Sequence, residues 1–336
     1  MIDSLHMGRS CIDLYSNDIG AAFFDIKSFS AYVGGSPTNI SVGARRLGRQ
    51  TALLTAIGDD PVGEFVMKFL DEEGVDTRCI ATKPGRRTSA AALAIEPPDR
   101  FPLIYYRENC ADAALTIDDV DASPIRDADV FQFAGTNLSI EPCRTATLYA
   151  AEVAHKAAKT VVLDLDLRAD QWADLRSFGV AIRSSLHNVD IVLGTADEVR
   201  AAGLKDPGRL SVSHSQVSDA RVEGDIERAV QGLMGLGPTA VVEKTGPEGA
   251  RVYERRGVSS DVRTAEGFPV DILNVLGAGD AFGAGFIYGL AEGWDLQRCA
   301  RFGNACGAIV VTRHGCSVSM PTLEEVEAFV EERGGL

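Results

Sequence analysis

Metal-binding and disulfide patterns are missing from this sequence. Seven cysteines are scattered along the chain, and no two of them form a C-x-x-C pair. The five histidines include no H-E-x-x-H spacing, which a zinc protease helix would carry. An odd number of widely spaced cysteines is typical of reduced, buried thiols, so we expect neither a disulfide framework nor a zinc site.

Long apolar runs are also missing. No uninterrupted apolar stretch approaches the ~20 residues that cross a bilayer, and the first residues lack the basic and apolar regions of a signal peptide. The net charge of −15 argues against a general nucleic-acid binder, because phosphate backbones repel an acidic surface. We therefore expect a cytoplasmic protein with no membrane or nucleic-acid partner, in which any anionic substrate meets local arginine or lysine.

Two common nucleotide motifs are absent or incomplete. There is no G-x-x-x-x-G-K-[ST], so the chain is not a P-loop enzyme. Gly277, Gly279 and Gly283 loosely fit a dinucleotide fingerprint, but no acidic residue ends a strand about 20 residues later to bind a ribose. Asp280 would also repel a pyrophosphate at that position. These departures argue against a dehydrogenase.

Apolar runs and helical stretches alternate over most of the chain. The runs predict strands at Thr51–Gly58, Ala128–Gly135, Thr160–Leu167, Asp190–Gly194 and Thr239–Lys244. The stretches between them predict helices at Gly63–Gly74, Glu141–Lys159, Gln171–Asn188 and Ala196–Gly203. This rhythm predicts an α/β protein with a mainly parallel sheet covered by helices on both faces.

Four short alternating runs interrupt this rhythm. Residues 9–15 and 27–33 precede the first predicted helix. Residues 88–96 and 101–107 flank Pro97-Pro98-Asp99-Arg100 and predict a β-hairpin. Because these runs fit poorly into a parallel sheet, we expect a small β-lid, formed by about 9–33 and 88–110, over the carboxyl edge of that sheet.

The stretch NVLGAGDAFGAGF, residues 274–286, carries the strongest chemical signal. We predict a strand over Phe268–Leu273 and a helix over Ala281–Gly293, so the glycines lie where a strand passes into a helix. The free N–H groups at a helix start bind anions, and glycines let an anion approach them. A carboxylate there suits a site that removes a proton from a hydroxyl attacking a phosphate. Asp280 is therefore either a helix cap or a catalytic base.

A second glycine cluster, GGSPTN at residues 34–39, precedes a predicted helix over Ile40–Leu47. Its paired glycines allow a ligand to approach the backbone closely, and Asn39 offers donors and acceptors to sugar hydroxyls. The same residues also suit an ordinary helix start, because proline is favoured in the first turn.

Together, GGSPTNISVGARRLG (34–48) and NVLGAGDAFGAGF (274–286) resemble the two signatures of the PfkB carbohydrate kinase family, relatives of ribokinase. The resemblance covers about residues 7–327. It implies one kinase domain over 1–336, with a ribokinase-like three-layer α/β/α sandwich and a β-lid. It also implies phosphoryl transfer from ATP, with Mg²⁺, to a sugar hydroxyl, and frequently a homodimer formed through the lids.

The resemblance assigns roles to single residues. Asp280 matches the family's catalytic base, and its anion hole matches Gly277, Ala278 and Gly279. The sugar-contacting positions match Asp13, Gly34, Gly35 and Asn39. The nucleotide positions match Glu198, Lys244, Gly246, Gly249 and Asn304. Glu198 is tied to Mg²⁺ through water in this scheme, although Thr195 stands where the family's N-x-x-E motif has asparagine, and Asn304 could equally be an ordinary helix-surface residue.

The residues that bind a cation in the family's second signature are less well matched in this chain. Many relatives have Asp-Thr-Thr before GAGD, where carbonyls and side chains help to bind potassium. This chain has Asn274-Val275-Leu276, whose apolar side chains cannot coordinate a cation, although backbone carbonyls still could. A K⁺ requirement is therefore left open.

Further segments resemble a subgroup that phosphorylates the keto sugar acid 2-deoxy-5-keto-D-gluconate on its terminal hydroxyl, in inositol catabolism. They are GGSP, Asp164–Arg168 (DLDLR) and Pro97–Glu108. Arg107 and Arg168 could each bind the acid's carboxylate through two N–H donors. Alternatively, Arg168 pairs with Asp164 or Asp166, and Arg107 is solvated. The rival functions are 2-keto-3-deoxygluconate kinase, fructokinase, ribokinase and a catalytically silent nucleotide-binding regulator.

Overall fold

The structure is a computed structural model that describes residues 2–97, 100–203, 210–212, 220–256 and 259–336. Its strands, in chain order, are β1 (Ile2–Met7), β2 (Cys11–Ser16), β3 (Phe29–Gly34), β4 (Thr51–Leu54), β5 (Ala56–Gly58), β6 (Ala81–Lys83), β7 (Ser89–Leu93), β8 (Leu103–Tyr106), β9 (Ala128–Ala134), β10 (Thr160–Asp164), β11 (Ile191–Thr195), β12 (Leu210–Val212), β13 (Ala220–Val222), β14 (Ala240–Lys244), β15 (Gly249–Arg256) and β16 (Ser259–Glu266). Its α-helices are α1 (Ser36–Arg46), α2 (Pro61–Glu73), α3 (Ile117–Asp121), α4 (Cys143–Lys156), α5 (Leu175–Ser185), α6 (Ala196–Gly203), α7 (Ile226–Met234), α8 (Ala278–Ala291), α9 (Leu296–Val310) and α10 (Leu323–Glu331). None of the described helices combines the length and the apolar character that crossing a bilayer requires.

The main sheet is mostly parallel, as the alternation of strands and helices predicts. Within the described residues it has eight strands, in the spatial order β16-β15-β14-β11-β10-β9-β1-β4. Neighbours from β14 to β4 run parallel, whereas β15 and β16 add an antiparallel edge. The carboxyl ends of six parallel strands therefore meet at one edge, where α/β folds place their ligands.

Helices cover both faces of this sheet. Phe131 and Phe133 of β9 pack into one core layer with Phe178 of α5. Val130, whose side chain alternates to the other face, packs with Phe286 of α8. Burying a phenylalanine side chain stabilises the fold by roughly 1.5–3 kcal/mol, so these two layers hold the helices against the sheet. The three-layer α/β/α sandwich expected from the sequence is confirmed.

The predicted strand over Phe268–Leu273 is wrong. The last strand, β16, ends at Glu266, and no strand follows it before α8. The N–H groups of Leu273 and Asn274 donate instead to the carbonyl of Val311, just after α9. Phe268 packs edge-on against Phe329 of α10. The apolar character of this run thus reflects burial against helices and not membership of a sheet.

The sequence also does not predict β1, β15 or β16. Strand β1 carries Ser4 and His6 in a buried environment, which makes its pattern look polar. Those side chains are satisfied internally, because His6 binds both Ser4 at 2.8 Å and Gln132 of β9 at 3.0 Å. Burial lowers the pKa of His6 to about 4, against the raising effect of Gln132, so the ring is neutral at pH 7.

Four short strands form a second, smaller sheet in the order β3-β2-β7-β8. Strands β7 and β8 are antiparallel and pair Leu93 with Leu103, as the predicted hairpin requires. Pro98 and Asp99 of its turn lie outside the described residues. The chain enters the small sheet directly after the carboxyl end of β1. Tyr15 of this sheet packs with Leu276 and Cys316 beside the start of α8.

Candidate active site

The turn before α8 allows another group to approach its backbone closely. Gly277 has φ of 83°, a left-handed conformation that glycine adopts freely, and a Cβ on it would lie 3.0 Å from the sulfur of Cys316. Ala278, Gly279 and Asp280 form the first turn of α8. N–H groups in a first helical turn have no carbonyl four residues earlier within the helix, and the helix dipole is positive there. This turn therefore offers an anion both N–H groups and a favourable field.

Asp280 lies in that turn with its carboxylate half-buried and hydrogen-bonded. Its Oδ2 accepts from Nδ2 of Asn39, at 2.7 Å. Burial, with a further contribution from Asp166, raises the pKa of Asp280 to about 6, although Asn39 and Arg168 act in the opposite direction. A carboxylate with such a pKa is mostly ionised at pH 7 and is a stronger base than an exposed aspartate. The arrangement suits proton abstraction.

The two glycines before α1 let its first turn approach the small sheet. A Cβ on Gly34 would lie 1.8 Å from Oδ2 of Asp13, and one on Gly35 would lie 2.2 Å from the carbonyl oxygen of Arg9. Asp13 is buried, and its Oδ1 accepts from the Cys11 thiol at 3.1 Å. Burial raises the pKa of Asp13, partly offset by Arg9. Asp13, Gly34, Gly35 and Asn39, which the sequence predicts to contact sugar, are thus brought together.

A buried ion pair lies on the other side of the α8 turn. Nζ of Lys244, at the end of β14, is 3.1 Å from both carboxylate oxygens of Asp164, at the end of β10. Burial raises the pKa of Asp164 to about 7 against the effect of Lys244, and Glu198, Asp166 and Asp280 raise it further. A Cβ on Gly279 would lie 3.3 Å from Nζ of Lys244, so the ammonium adjoins the helix start.

Glu198 closes a capping box at the start of α6. Its Oε2 accepts from the N–H of Thr195 at 2.7 Å, while Oγ1 of Thr195 accepts from the N–H of Glu198 at 3.3 Å. Its Oε1 accepts from the N–H of Leu167 at 3.0 Å. Threonine thus replaces the expected asparagine without loss of the cap, and Glu198 anchors the loop that carries Asp166 and Arg168.

The two arginines expected to bind a carboxylate already have carboxylate partners. Arg107 is buried, with Nε 2.7 Å from Asp112, and it also donates to the carbonyl of Thr136 at 3.2 Å. It is therefore not solvated, although its Nη2 has no hydrogen-bond partner within the described residues. Nη2 of Arg168 lies 3.1 Å from Oδ1 of Asp166. Arg168 borders the cavity described next, whereas Arg107 lies outside its lining.

A cavity of about 450 Å³ opens between these groups. Its lining combines charged residues with apolar ones: the charged residues include Asp164, Arg168, Lys244 and Asp280, and the apolar residues include Phe268, Val270, Ile272, Leu276 and Val311. Binding pockets commonly combine such an apolar lining with a few convergent polar groups. The size and the mixed lining suit a nucleotide, with its nucleoside against apolar residues and its phosphates against charged ones.

The remaining predicted nucleotide residues shape the rim of this cavity. Nδ2 of Asn304, on α9, donates to the carbonyls of Ala265 and Glu266, both at 2.9 Å. Gly246, in the turn after β14, and Gly249, the first residue of β15, both border the cavity. Gly249 has φ of 106°, and a Cβ there would lie 2.2 Å from the carbonyl oxygen of Ala265. Asn304 therefore joins α9 to the end of β16.

Two residues at the site were not selected from the sequence. Asp166 accepts from Oγ1 of Thr136 at 3.0 Å and adopts φ of 36°, which is unusual for a residue other than glycine. Arg9 is buried beside Asp13 and belongs to neither motif. The position of Asp166, two residues beyond a buried strand, is a sequence signal that could identify it, because such positions border ligand sites in α/β folds.

Known proteins resemble this chain in sequence over nearly its whole length. Residues 1–323 match the model of the family described as pfkB family carbohydrate kinase. A Geobacillus kaustophilus protein named 5-dehydro-2-deoxygluconokinase is 33% identical over 98% of this chain and 94% of its own. A Bacillus subtilis protein of the same name is also 33% identical, over 98% of this chain and 96% of its own.

Solved structures share the architecture at lower identity. A putative ribokinase II from E. coli, in complex with ATP and Mg²⁺, is 24% identical with a TM-score of 0.84 and covers 99% of this chain and 100% of its own. A Vibrio cholerae fructokinase double mutant, bound to fructose, ADP and potassium, is 22% identical with a TM-score of 0.82, over 98% of both chains. These likenesses confirm the ribokinase-like fold expected from the sequence.

Proposed function

We propose, because the chain belongs to the pfkB family of carbohydrate kinases, that it transfers the γ-phosphoryl group of ATP to the terminal hydroxyl of 2-deoxy-5-keto-D-gluconate. The observation that carries this chemistry is Asp280, a half-buried carboxylate with a pKa of about 6 in the first turn of α8. The choice of substrate rests on relatives named 5-dehydro-2-deoxygluconokinase, which are 33% identical over 98% of the chain.

In this mechanism Asp280 takes the proton of the terminal hydroxyl as that oxygen attacks phosphorus. Asn39 holds one carboxylate oxygen at 2.7 Å, which leaves the other to face the hydroxyl. The N–H groups of Gly277, Gly279 and Asp280 stabilise negative charge on the transferring phosphoryl group, whereas that of Ala278 donates to the carbonyl of Val275. Lys244 adds positive charge beside them. Proton removal and charge stabilisation thus come from the same helix start.

The nucleotide would occupy the cavity with its base against apolar lining residues, near Asn304, and its phosphates toward Gly277 and Gly279. Mg²⁺ neutralises phosphate charge in such reactions. The described residues contain no group of three His, Cys, Asp or Glu side chains arranged to hold a metal ion. Both oxygens of Glu198 already accept backbone N–H groups. An ion bound mainly by phosphate oxygens, and through water by Glu198, fits these residues.

The sugar would lie between α8 and the small sheet, against Asp13, Gly34, Gly35 and Asn39. Oδ1 of Asn39 is buried and has no hydrogen-bond partner within the described part of the chain, so it is a suitable acceptor for a sugar hydroxyl. The small sheet would act as the lid that keeps water, a competing acceptor, from the phosphoryl group.

The same sheet offers a surface for a second copy of the chain. Ile12, Leu14, Phe29, Ile104 and Tyr106 alternate with inward residues and lie on its outer face. Phe29, Ile104 and Tyr106 are 40%, 44% and 60% exposed. A contiguous apolar surface of this kind marks an interaction site, and we propose a homodimer in which two lids pack together. Sedimentation of the wild type and of Ile104→Glu/Tyr106→Glu tests this, and a monomeric wild type would refute it.

A panel of sugars tests the proposed reaction. The purified enzyme, with ATP and Mg²⁺, is assayed for ADP release with 2-deoxy-5-keto-D-gluconate, 2-keto-3-deoxygluconate, fructose and ribose. We expect the highest kcat/KM for the first sugar, with phosphate on its terminal oxygen by NMR. A higher value for another sugar would reassign the substrate within the family. No turnover of any sugar, with ATP still bound in calorimetry, would favour a silent nucleotide-binding regulator.

A further inference from the structure

Arg9 occupies a fixed position between the main sheet and the small sheet. It lies in the short connection between β1 and β2, at the carboxyl end of β1, and is 6% exposed. Its carbonyl oxygen accepts from Oγ1 of Thr38 at 3.1 Å, and a Cβ on Gly35 would lie only 2.2 Å from that oxygen. The start of α1 therefore holds the backbone of Arg9 in place.

The side chain of Arg9 is also held, but by uncharged groups. Nη1 lies 2.9 Å from the sulfur of Cys11, and the guanidinium carbon is 4.5 Å from the centre of the Tyr105 ring. No carboxylate among the described residues lies within 4.0 Å of this guanidinium. Burial lowers the pKa of Arg9, but nearby groups, Asp13 and Asp166 among them, raise it, so these carboxylates stabilise the cation from a distance without contacting it. Stacking on a tyrosine adds to that stabilisation and leaves the guanidinium without a contacting carboxylate. Such a group is ready to receive an anion from a ligand.

The position of Arg9 makes a sugar ligand the natural source of that anion. Asp13 of β2 and Tyr105 of β8 are both in register with Ala91 of β7, so they share the inner face of the small sheet. Arg9 contacts Tyr105 on that face and follows the strand that ends beside Asn137 and the sugar-contacting residues. By contrast, Arg107 and Arg168 are paired with Asp112 and Asp166.

We propose that Arg9 binds the carboxylate of the sugar acid and sets the preference of the enzyme for an acidic over a neutral sugar. This inference rests on the proposed function. The guanidinium presents N–H groups in a planar fork that matches the two oxygens of a carboxylate. The stack on Tyr105 fixes the plane of that fork before the ligand arrives, which reduces the entropy lost on binding.

Comparing an acid with its amide tests the pairing directly. The probes are 2-deoxy-5-keto-D-gluconate and 2-deoxy-5-keto-D-gluconamide, which have nearly the same shape but differ in charge. For the wild type we expect kcat/KM for the acid to exceed that for the amide by about 10²-fold, a typical ratio for a buried charge pair. For Arg9→Met, whose side chain can still pack on Tyr105, we expect this ratio to fall to about 1, mainly through a higher KM for the acid.

Arg107→Met is the matched comparison, because it removes a guanidinium that Asp112 already neutralises. We expect it to keep the wild-type ratio between acid and amide. Loss of the ratio in Arg107→Met but not in Arg9→Met would overturn the proposal. Arg9→Lys keeps the charge but lacks the planar fork, so it should reduce the ratio between acid and amide about tenfold. This variant tests the proposal if Arg9→Met does not fold. An unchanged ratio in Arg9→Lys would then count against the proposal.

The two hypotheses fail in different ways. If the wild type phosphorylates neither probe but accepts another sugar, the proposed substrate is wrong. If the wild type prefers the acid and every Arg9 variant keeps that preference with an unchanged KM, the proposed reaction stands and the role of Arg9 is wrong.

Discussion

The side-chain amide of Asn39 donates to Oδ2 of Asp280 over 2.7 Å, although the two residues are 241 positions apart in the chain. The contact forms because α1 and α8 begin at the same edge of the main sheet and pack closely. A Cβ on Gly43 of α1 would lie 2.7 Å from the Cβ of Ala284 of α8, so only a small residue fits between the helices. The two glycine-rich segments therefore act as one site.

Asp280→Asn should abolish most of the activity without unfolding the protein. The amide is nearly isosteric but cannot accept a proton, so we expect kcat to fall by at least ~10²-fold. Kinetic assay of ADP release, beside a thermal melt, measures both effects. A variant with near-normal kcat would remove Asp280 from the role of base.

The pKa of Asp280 also predicts whether Asp280→Asn raises or lowers the stability of the folded protein. The pKa of Asp280 is raised in the folded protein, so the folded state holds its proton more tightly than the unfolded state, and stability falls as pH rises from 3.8 through about 6. Asparagine does not ionise, so the variant does not lose stability over this pH range. We therefore expect Asp280→Asn to melt no lower than the wild type at pH 7, and a clearly lower Tm would contradict the raised pKa of Asp280 in the folded protein.

The pH dependence of the reaction should report the same group. The base must be ionised, so kcat/KM should fall about tenfold per pH unit below the pKa of Asp280, which is about 6. Asn39 favours the charged form of Asp280, and removing its hydrogen bond should move the acidic limb to higher pH.

Asn39→Ala and Asn39→Asp separate this effect from a loss of sugar binding. Both variants lose the amide donor, but the aspartate also adds a like charge, so its acidic limb should lie at the higher pH of the two. Profiles of kcat/KM from pH 5 to 9 measure the shift. An acidic limb that stays in place in both variants would show that another group controls the profile.

The fold was predictable from the sequence because its main signals are local. Buried strands such as β9 and β10 appear in the sequence as mainly apolar runs, and helices such as α6 have bounds that the sequence predicts correctly. The failures have physical causes. The run from Phe268 to Leu273 is apolar because helices cover it, and β1 looked polar because Ser4 and His6 satisfy each other in the core.

Lys244 and Asp164 form a buried ion pair whose halves depend on each other. Lys244→Met leaves the Asp164 carboxylate without its counter-ion, which should lower the free energy of unfolding by about 3–5 kcal/mol at pH 8. Asp164 can take up a proton, and its pKa is already raised by burial to about 7, so the loss should shrink as pH falls through that value.

The double variant Lys244→Met/Asp164→Asn tests this dependence. It carries no buried charge at the pair and should recover most of the stability lost by Lys244→Met, as measured by urea unfolding at pH 8 and pH 6. Both variants lose the ammonium beside Gly279, so KM for ATP should rise in each. Additive stability losses in the double variant would show that the pair is not coupled.

The candidate site was only partly predictable, because partners that are distant in sequence determine what each charge does. Arg107 and Arg168 follow strand-like segments and look available in the sequence, but Asp112 and Asp166 neutralise them in the fold. Arg9, by contrast, could not be identified as a site residue from the sequence. Nothing in its neighbourhood along the chain marks it, and its importance appears only when Tyr105 and Asp13 are brought beside it.

Potassium should have little effect on this enzyme. Val275 and Leu276 offer only apolar side chains before the glycine turn, and Oδ1 of Asn274 already accepts from the N–H of Leu276 at 3.0 Å. Exchange of K⁺ for Na⁺ should change kcat by less than about threefold, because alkali cations need several oxygen ligands. The variant Asn274→Asp/Val275→Thr/Leu276→Thr supplies oxygens and should gain a K⁺ response. Strong K⁺ activation of the wild type would mean that backbone carbonyls suffice.

A methyl group at Gly34 should damage the sugar site and leave the nucleotide site intact. The Cβ of Gly34→Ala would lie 1.8 Å from Oδ2 of Asp13, so the carboxylate must move. We expect KM for the sugar to rise at least ~10-fold, because hydrogen bonds to a charged group are worth about 1.5–3 kcal/mol, while KM for ATP stays nearly constant. Gly232→Ala in α7 is the control, since its Cβ meets nothing within 4 Å. If Gly34→Ala raises KM for ATP as much as KM for the sugar, the two substrates do not divide between the small sheet and the cavity as proposed.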